Sequence, residues 1–303
     1  MCIRDSRPEG AEVSNAARTS TGAVSFMERF SNTTREVAQK GRRGALMLTM
    51  DIAHPDVEQF ITMKQDLKKV TGANISVRVS DEFLQAVEDN TEYTHRWPID
   101  SKEPSVTKTV HARGLWDTLI KCAHNSAEPG IIFWDRQHKY STSSVYPGFK
   151  NESTNPCGEI AMQGGDSCRL IAINFYSFVT DAFTPKARFD HKRLAQVTYE
   201  AQRLMDDLVD LELEAVERIL VKIDKDPEPD AVKRVERETW QLLGETGRKG
   251  RRTGLGFTGM GDALAALGLA YDSEAAVEAA EHILRTKCEA EFNSSIDLSL
   301  IHI

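Results

Sequence analysis

The feature that most constrains the fold is the alternation of short apolar strands with helices along the chain. The apolar stretch Ala45–Ile52 predicts a buried strand, and Asn74–Val79 alternates apolar with polar residues as a half-buried strand does. Ser80 follows at once and predicts the N-cap of a helix that reaches Glu88. Strands alternating with helices favour an α/β fold.

The second half of the chain is predicted to be mainly helical. A long helix is expected over Asp190–Lys225, and two prolines separate it from a charged helix over Asp230–Leu243. The charged stretch at about 207–245 is interpreted as a solvated helical insertion, with an oligomer contact as the alternative. Gly254–Leu267 and Ser273–Glu291 are expected to complete a helical tail.

Composition excludes several classes of protein. The formal net charge of −8 argues against non-specific binding to nucleic acid. No apolar run approaches the ~20 residues of a membrane helix. Five irregularly spaced cysteines do not suggest a secreted disulfide framework, so a reducing, cytoplasmic location is predicted. The cysteines are Cys2, Cys122, Cys157, Cys168 and Cys288.

The two ends of the sequence are related to each other. With suitable codons, the reverse complement of the Met1–Ser6 coding sequence encodes Leu298–Ile303 in frame. Translated adapter sequence explains this relation, whereas two natural frayed termini would rarely satisfy it. We therefore expect residues 1–6 and 298–303 to be non-native, residues 7–297 to form one partial domain, and the natural chain to continue in both directions.

The segment with the most informative set of reactive side chains has the sequence N-P-C-G-E, at residues 155–159. In an extended segment alternate side chains share a face, so Asn155, Cys157 and Glu159 are expected to project together. The proline keeps the asparagine out of the α region, and the glycine leaves room beside the sulfur. One face would then offer an amide, a thiol and a carboxylate to one small substrate.

On these residues alone, other interpretations stay open. The cysteine could be buried, with the asparagine in a turn and the glutamate solvated. A thiol nucleophile would need a histidine, and the candidates His124, His138 and His191 are distant in sequence. A zinc site would want close cysteine pairs, and Cys157 and Cys168 have no second pair. No metal site of the protein's own is predicted.

The N-P-C-G-E motif, with Cys168 eleven residues beyond Cys157 in S-C-R-L, resembles the active-site segment of class II ribonucleotide reductases. The resemblance implies a ten-stranded α/β barrel with Cys157 on an internal loop, where it becomes a thiyl radical. Cys157 would abstract the hydrogen from C3′ of the ribose, and Glu159 would take the 3′-hydroxyl proton. Asn155 would bind the ribose hydroxyls. Cys168 would be one of two cysteines that reduce C2′.

The resemblance covers nearly everything between Arg7 and Asp297. The other reducing cysteine would lie before residue 7, and a C-terminal cysteine pair would lie beyond residue 297. Further stretches follow the family's order: Gly22–Met27, Gly41–Met47, His54–Ile61, Ser76–Phe83, Glu128–Phe133 and Arg251–Gly256.

Two stretches resemble the loops that connect an allosteric nucleotide to substrate choice in this family. Arg7–Thr21 matches the first loop and Gln39–Ala45 the second. Guanidinium groups between glycines suit phosphate and base recognition, and a solvated turn is the alternative interpretation. The residues assigned to effector and substrate specificity are Lys40, Gly41, Arg42, Arg43 and Gly44.

The resemblance also implies cofactors and partners. These are adenosylcobalamin, a ribonucleotide substrate, a nucleoside triphosphate effector, an external dithiol such as thioredoxin, and a homodimer of the full-length protein. Class II is favoured by Pro156, Gly158 and the short spacing from Cys157 to Cys168. The alternatives are a class I large subunit, with its radical delivered by a metal-bearing partner, and a non-catalytic nucleotide-binding regulator with the same barrel.

A G-x-G-x-x-G pattern at Gly254, Gly256 and Gly259 also suggests dinucleotide binding. That interpretation needs an apolar strand before the first glycine, and the preceding segment 248–252 is basic. We therefore expect these glycines to permit close packing of helices instead.

Overall fold

The computed structural model of the chain describes residues 2–3, 6–37 and 44–302. The chain divides into two compact units, residues 1–164 and 165–303. Both units combine helices with strands, so the predicted α/β content is confirmed.

The first unit is organised around a parallel sheet. The strands of this unit are β1 (Cys2–Ile3), β2 (Met47–Asp51), β3 (Asn74–Val79), β4 (Glu92–Trp97), β5 (Val106–His111), β6 (Gly130–Phe133), β7 (Ser153–Thr154) and β8 (Ala161–Met162). The four strands of the parallel sheet lie in the order β1–β2–β3–β6, and two antiparallel hairpins, β4–β5 and β7–β8, are separate from it.

Helices cover one face of this sheet. Ile75, Val77 and Val79 of β3 belong to a buried apolar cluster that also holds residues of the helices. These helices are α1 (Met27–Glu36), α2 (Val57–Thr62), α3 (Asp81–Glu88) and α4 (Ala112–Ser126). A further helix, α5 (Trp134–Tyr140), has no residue in this cluster, and short 3₁₀ turns lie at Val24–Phe26, Met63–Gln65 and Thr142–Val145.

The β3–α3 segment forms as the sequence predicts. β3 spans Asn74–Val79, and the Ser80 side chain accepts a hydrogen bond from the Phe83 amide at 3.2 Å, which caps α3. Because side chains alternate along a strand, the residues between the apolar ones face the other way. β3 therefore presents Asn74, Ser76 and Arg78 on a polar face.

The second unit pairs two parallel strands with long helices. β9 (Arg169–Asn174) pairs with β12 (Thr253–Thr258), and β10 (Val179–Thr180) pairs antiparallel with β11 (Arg188–Phe189). A 3₁₀ turn at Phe175–Phe178 packs in the apolar core. The helices are α6 (His191–Lys225), α7 (Asp230–Gly250), α8 (Met260–Ala266) and α9 (Glu274–His302).

The charged segment 207–245 lies on α6 and α7, as predicted, with a non-helical break at residues 226–229. Asp190 caps α6 by accepting a hydrogen bond from the Arg193 amide at 3.0 Å. Ion pairs connect the two helices, with 2.6 Å between Arg237 and Asp224 and 3.5 Å between Arg248 and Glu217. Such exposed pairs stabilise by only about 0.2–1 kcal/mol each.

The expected structure of Gly254–Thr258 needs correction. Gly254–Thr258 was expected to begin a helix, but it lies in β12, because the apolar Leu255 and Phe257 alternate with small or polar residues and pair along β9. The glycines of the G-x-G-x-x-G pattern therefore do not separate packed helices, and two of them lie within the strand. In the described ranges 2–3, 6–37 and 44–302, the strands form separate sheets and no closed barrel.

His95, on β4, is a buried ionisable residue of the first unit. Its side chain is fully buried, and neither ring nitrogen has a hydrogen-bond partner among the described residues. Burial lowers the pKa of His95 to about 4, and nearby Lys108 acts in the same direction, while Glu58 opposes them and His54 adds a smaller lowering. The His95 ring is therefore neutral in the folded state at neutral pH.

We expect acid to destabilise the chain through His95. Because its folded pKa lies below the unfolded value, the unfolded state binds more protons, and stability is lost as the pH falls from about 6.5 towards 4. The shift corresponds to about 3 kcal/mol at most. We expect the free energy of unfolding, measured with urea, to fall less between pH 6.5 and pH 4 for His95→Gln than for the wild type. The exposed His124 gives a control variant, His124→Gln, and equal acid losses in both variants would contradict the prediction.

Candidate functional site

The N-P-C-G-E motif forms the turn of the hairpin β7–β8. Ser153 pairs with Met162 and Thr154 with Ala161, so residues 155–160 connect two very short strands. Hydrogen bonds of Asn155 close this turn. Its backbone carbonyl accepts from the Gly158 amide at 3.0 Å, and its side-chain Oδ1 accepts from the Ile160 amide at 3.0 Å.

The turn corrects the expectation of an extended motif with alternating faces. Gly158 has a φ of +89°, which a residue with a side chain rarely adopts, so the chain reverses here instead of running straight. A Cβ added to Gly158 would meet no atom within 4 Å, so its backbone angle, not crowding, is what requires glycine. Asn155, Cys157 and Glu159 nevertheless all lie within this one turn.

Cys157 and Glu159 are both exposed on this turn, and Asn155 is half-buried. An exposed thiol is accessible to a substrate or to a bulky cofactor. Because the Asn155 Oδ1 is used within the turn, its Nδ2 carries the donors that could reach a ribose hydroxyl. The turn thus offers an accessible thiol, a carboxylate and an amide donor.

The polar face of the parallel sheet contacts the hairpin at three places. Asn74 Nδ2 donates to the Pro156 carbonyl at 2.7 Å, directly before Cys157. Arg78 donates from one guanidinium nitrogen to the Glu152 carbonyl at 3.0 Å. The hydroxyls of Thr49 and Ser153 lie 3.1 Å apart. Sequence reasoning missed these residues because no motif connects them to a segment so far along the chain.

Cys168 belongs to the second unit and directly precedes β9. It is half-buried, and its Sγ lies 3.8 Å from the Arg169 carbonyl. A Cβ on Gly254 would come within 3.0 Å of that sulfur, so the glycine in β12 keeps space for the thiol. Ion pairs on either side, Arg252–Asp166 at 2.7 Å and Arg169–Glu212 at 2.6 Å, hold the start of the strand.

Of the predicted specificity loop, Lys40, Gly41, Arg42 and Arg43 lie outside the described residues. Gly44 is described, and a Cβ there would approach Thr34 to 2.9 Å, so the glycine allows close contact with α1. Gly44 also lines a cavity of about 580 Å³. The other lining residues are Thr34, Arg35, Ala45, Leu46, Thr71, Gly72, Ala73 and Asn74.

The first predicted loop, Arg7–Thr21, is held by a carboxylate that sequence reasoning did not single out. Asp56 is buried and accepts hydrogen bonds from the Glu9 amide at 3.0 Å and the Ala23 amide at 2.8 Å. One side chain thus fixes the chain near both ends of the loop. The only sequence signal was its place in the His54–Ile61 stretch.

Within the described part of the chain, no group of three or more histidine, cysteine, aspartate or glutamate residues is arranged to hold a metal ion. A search of the same residues for a helix long and apolar enough to cross a membrane also finds none.

The family model described as "Ribonucleotide reductase, barrel domain" matches residues 1–302. The chain belongs to this family. The resemblance drawn from the N-P-C-G-E motif is therefore confirmed at the level of the family. The mixed α/β structure therefore belongs to a ribonucleotide reductase barrel domain.

Several curated relatives of this chain are named vitamin B12-dependent. The chain is 33% identical over 292 residues to the vitamin B12-dependent ribonucleoside-diphosphate reductase of Mycobacterium tuberculosis, covering 95% of this chain and 37% of that protein. The enzyme of the same name from Thermoplasma acidophilum is 33% identical, over 92% of this chain and 32% of its own length. The vitamin B12-dependent ribonucleotide reductase of Streptomyces clavuligerus is 26% identical, over 96% and 30%. The chain thus spans about a third of the length of these relatives.

Proposed function

We propose that the protein containing this chain reduces ribonucleotides to 2′-deoxyribonucleotides, with a thiyl radical on Cys157. The observation that carries the proposal is the exposed Cys157 thiol on the same turn as Asn155 and Glu159, in a member of the ribonucleotide reductase barrel-domain family. The names of the relatives support a cobalamin-dependent enzyme and a nucleoside diphosphate as one substrate.

Each residue of the turn has a distinct role in this proposal. The Cys157 thiyl takes the hydrogen atom from C3′, and the Glu159 carboxylate takes the proton of the 3′-hydroxyl. Asn155 donates from Nδ2 to a ribose hydroxyl and thereby orients the sugar. Deprotonation at O3′ favours departure of the neighbouring 2′-hydroxyl as water.

The reduction at C2′ consumes two electrons and two protons. Cys168 and a second cysteine outside residues 7–297 supply both as their thiols become a disulfide, and Cys157 gives the hydrogen atom back to C3′, which regenerates its thiyl radical. An external dithiol of the thioredoxin type then reduces the disulfide. The reducing, cytoplasmic compartment predicted from the cysteine pattern belongs to the same proposal, because this cycle needs free thiols.

Adenosylcobalamin, when bound, supplies the radical that the chemistry requires. The exposed Cys157 fits this, because a buried sulfur would be closed to a cofactor of that size. The turn's own residues would then bind the substrate and move its protons. In the full-length protein we propose the ten-stranded barrel to enclose this turn and exclude water from the radical.

The loop Lys40–Gly44 is proposed to connect a nucleoside triphosphate effector to the choice of substrate. The cavity beside Gly44 supports this, because Asn74 lines it and also bonds to the Pro156 carbonyl of the Cys157 turn. Arg42 and Arg43 would supply charge for phosphate or base recognition. A homodimer of the full-length protein belongs to the same proposal.

An assay of the full-length protein tests the function and its class. With a ribonucleoside di- or triphosphate, excess dithiol and adenosylcobalamin, we expect multiple turnovers without any second subunit. A cobalamin that lacks the adenosyl group is the matched control and should give none. Activity only after addition of an iron- or manganese-bearing subunit would identify a class I enzyme, and effector binding without turnover under every condition would identify a regulator.

A further inference from the structure

The hairpin that carries Cys157 is too short to fix its own position. β7 and β8 contain two residues each, and a two-stranded hairpin is marginal in water even when it is longer. The exposed turn therefore depends on contacts from outside the hairpin for its geometry. Those contacts come from the polar face of the parallel sheet, above all from β3.

Arg78 makes the most extensive of these contacts. Its side chain is only 2% exposed, and one guanidinium nitrogen pairs with Asp51 at 3.0 Å. A second nitrogen donates to the Glu152 carbonyl at 3.0 Å, and Cζ lies 4.5 Å from the centre of the Trp134 ring. The planar fork thus joins β2, β3 and the start of the hairpin, a geometry that a lysine ammonium cannot reproduce.

Asn74 makes the second contact, at the turn itself. It lies four residues before Arg78 on the same face of β3, and its Nδ2 donates at 2.7 Å to the carbonyl of Pro156. That carbonyl belongs to the peptide bond between Pro156 and Cys157. A shift of this peptide therefore moves the Cα of Cys157 directly.

We infer that Asn74 and Arg78 are positioning residues that fix the Cys157 turn against the parallel sheet. Arg78 holds the stem at Glu152, and Asn74 holds the peptide that leads into Cys157. The consequence for catalysis rests on the proposed function, but the structural role does not. A displacement of about 1 Å in a reacting group can cost roughly 100-fold in rate, so the anchors control turnover without touching substrate.

Variants of the full-length protein test this inference by two readouts besides turnover. We expect Asn74→Ala to raise hydrogen exchange at the Gly158 and Ile160 amides roughly threefold to tenfold, as loss of one hydrogen bond predicts. The alkylation rate of Cys157 by iodoacetamide should change relative to that of Cys288, an exposed reference cysteine. Under the assay conditions, kcat should fall by up to about 100-fold with little change in KM.

Conservative and control variants keep the test decisive. Arg78→Lys keeps the charge but loses the fork, so it should also loosen the turn, whereas Asn74→Gln keeps an amide donor and should restore part of the protection. Ser76→Ala, between the two anchors on the same face, should behave as the wild type. If Arg78→Lys does not fold, the exposed Asn74 still gives a complete test.

The outcomes separate the inference from the proposed function. Wild-type exchange and alkylation in both Asn74→Ala and Arg78→Lys would overturn the positioning role, even if turnover fell. A loosened turn in a protein whose wild type makes no deoxyribonucleotide would support the positioning role and contradict the proposed function.

Discussion

Cys157→Ser is expected to abolish deoxyribonucleotide formation by the full-length protein. A serine hydroxyl holds its hydrogen too strongly to give a radical that exchanges hydrogen with C3′, and no other thiol lies on the turn. Because serine is close in size and Cys157 is exposed, folding and effector binding should be nearly unchanged. The measurement is product formation with saturating cofactor and dithiol, beside effector binding at equilibrium.

Cys288→Ser provides the matched control. Cys288 is also exposed, but it lies on α9 and has no place in the proposed chemistry, so this variant should keep wild-type turnover. If Cys157→Ser retained turnover within about tenfold of the wild type, the barrier would have risen by only ~1.4 kcal/mol. That result would rule out Cys157 as the radical residue.

Glu159→Gln is expected to lower kcat by about 10² to 10⁴, the usual cost of losing a general base. The amide keeps the size of the side chain but cannot take the 3′-hydroxyl proton. Since Glu159 is exposed on the turn, the change should leave the hairpin hydrogen bonds of Asn155 intact. The measurement is kcat of the full-length protein with saturating substrate, cofactor and dithiol.

Glu152→Gln serves as the control for charge. Glu152 is exposed and lies at the foot of the same hairpin, where its backbone carbonyl makes the contact with Arg78. Removal of its carboxylate should therefore have little effect on kcat. Equal losses in the two variants would indicate a general dependence on negative charge and would contradict a base at Glu159.

Local signals in the sequence were sufficient to predict much of the fold. β3 and the capped helix α3 follow from alternation and from Ser80, both of which act within a few residues. The strand β12 was missed because only Leu255 and Phe257 show its alternation between the glycines, and a pattern of two apolar residues is weak until their pairing with β9 is seen. Closure of a barrel depends on strand pairing across the whole domain, which no local pattern encodes.

In the candidate site, too, the local motif could be predicted from the sequence, whereas contacts with distant segments could not. The motif identified Asn155, Cys157 and Glu159, and the resemblance gave them roles that stay predictions. The predicted geometry of the motif was wrong because side chains alternate only along an extended backbone, whereas Asn155 and Gly158 together favour a reversal of the chain. The positioning role of Arg78 could not be predicted from the sequence. Without its contact with Glu152, Arg78 is only one polar residue in a strand predicted to be half-buried.

The two-faced pattern of β3 limits how this segment can change in evolution or in engineering. A single inserted or deleted residue within the strand would exchange its faces, since side chains alternate with a period of two. Arg78 would then point into the apolar layer beneath α2–α4, and a valine would meet the hairpin. Length variation should therefore be excluded from residues 74–79, so alignments of natural variants should place no gaps within this strand.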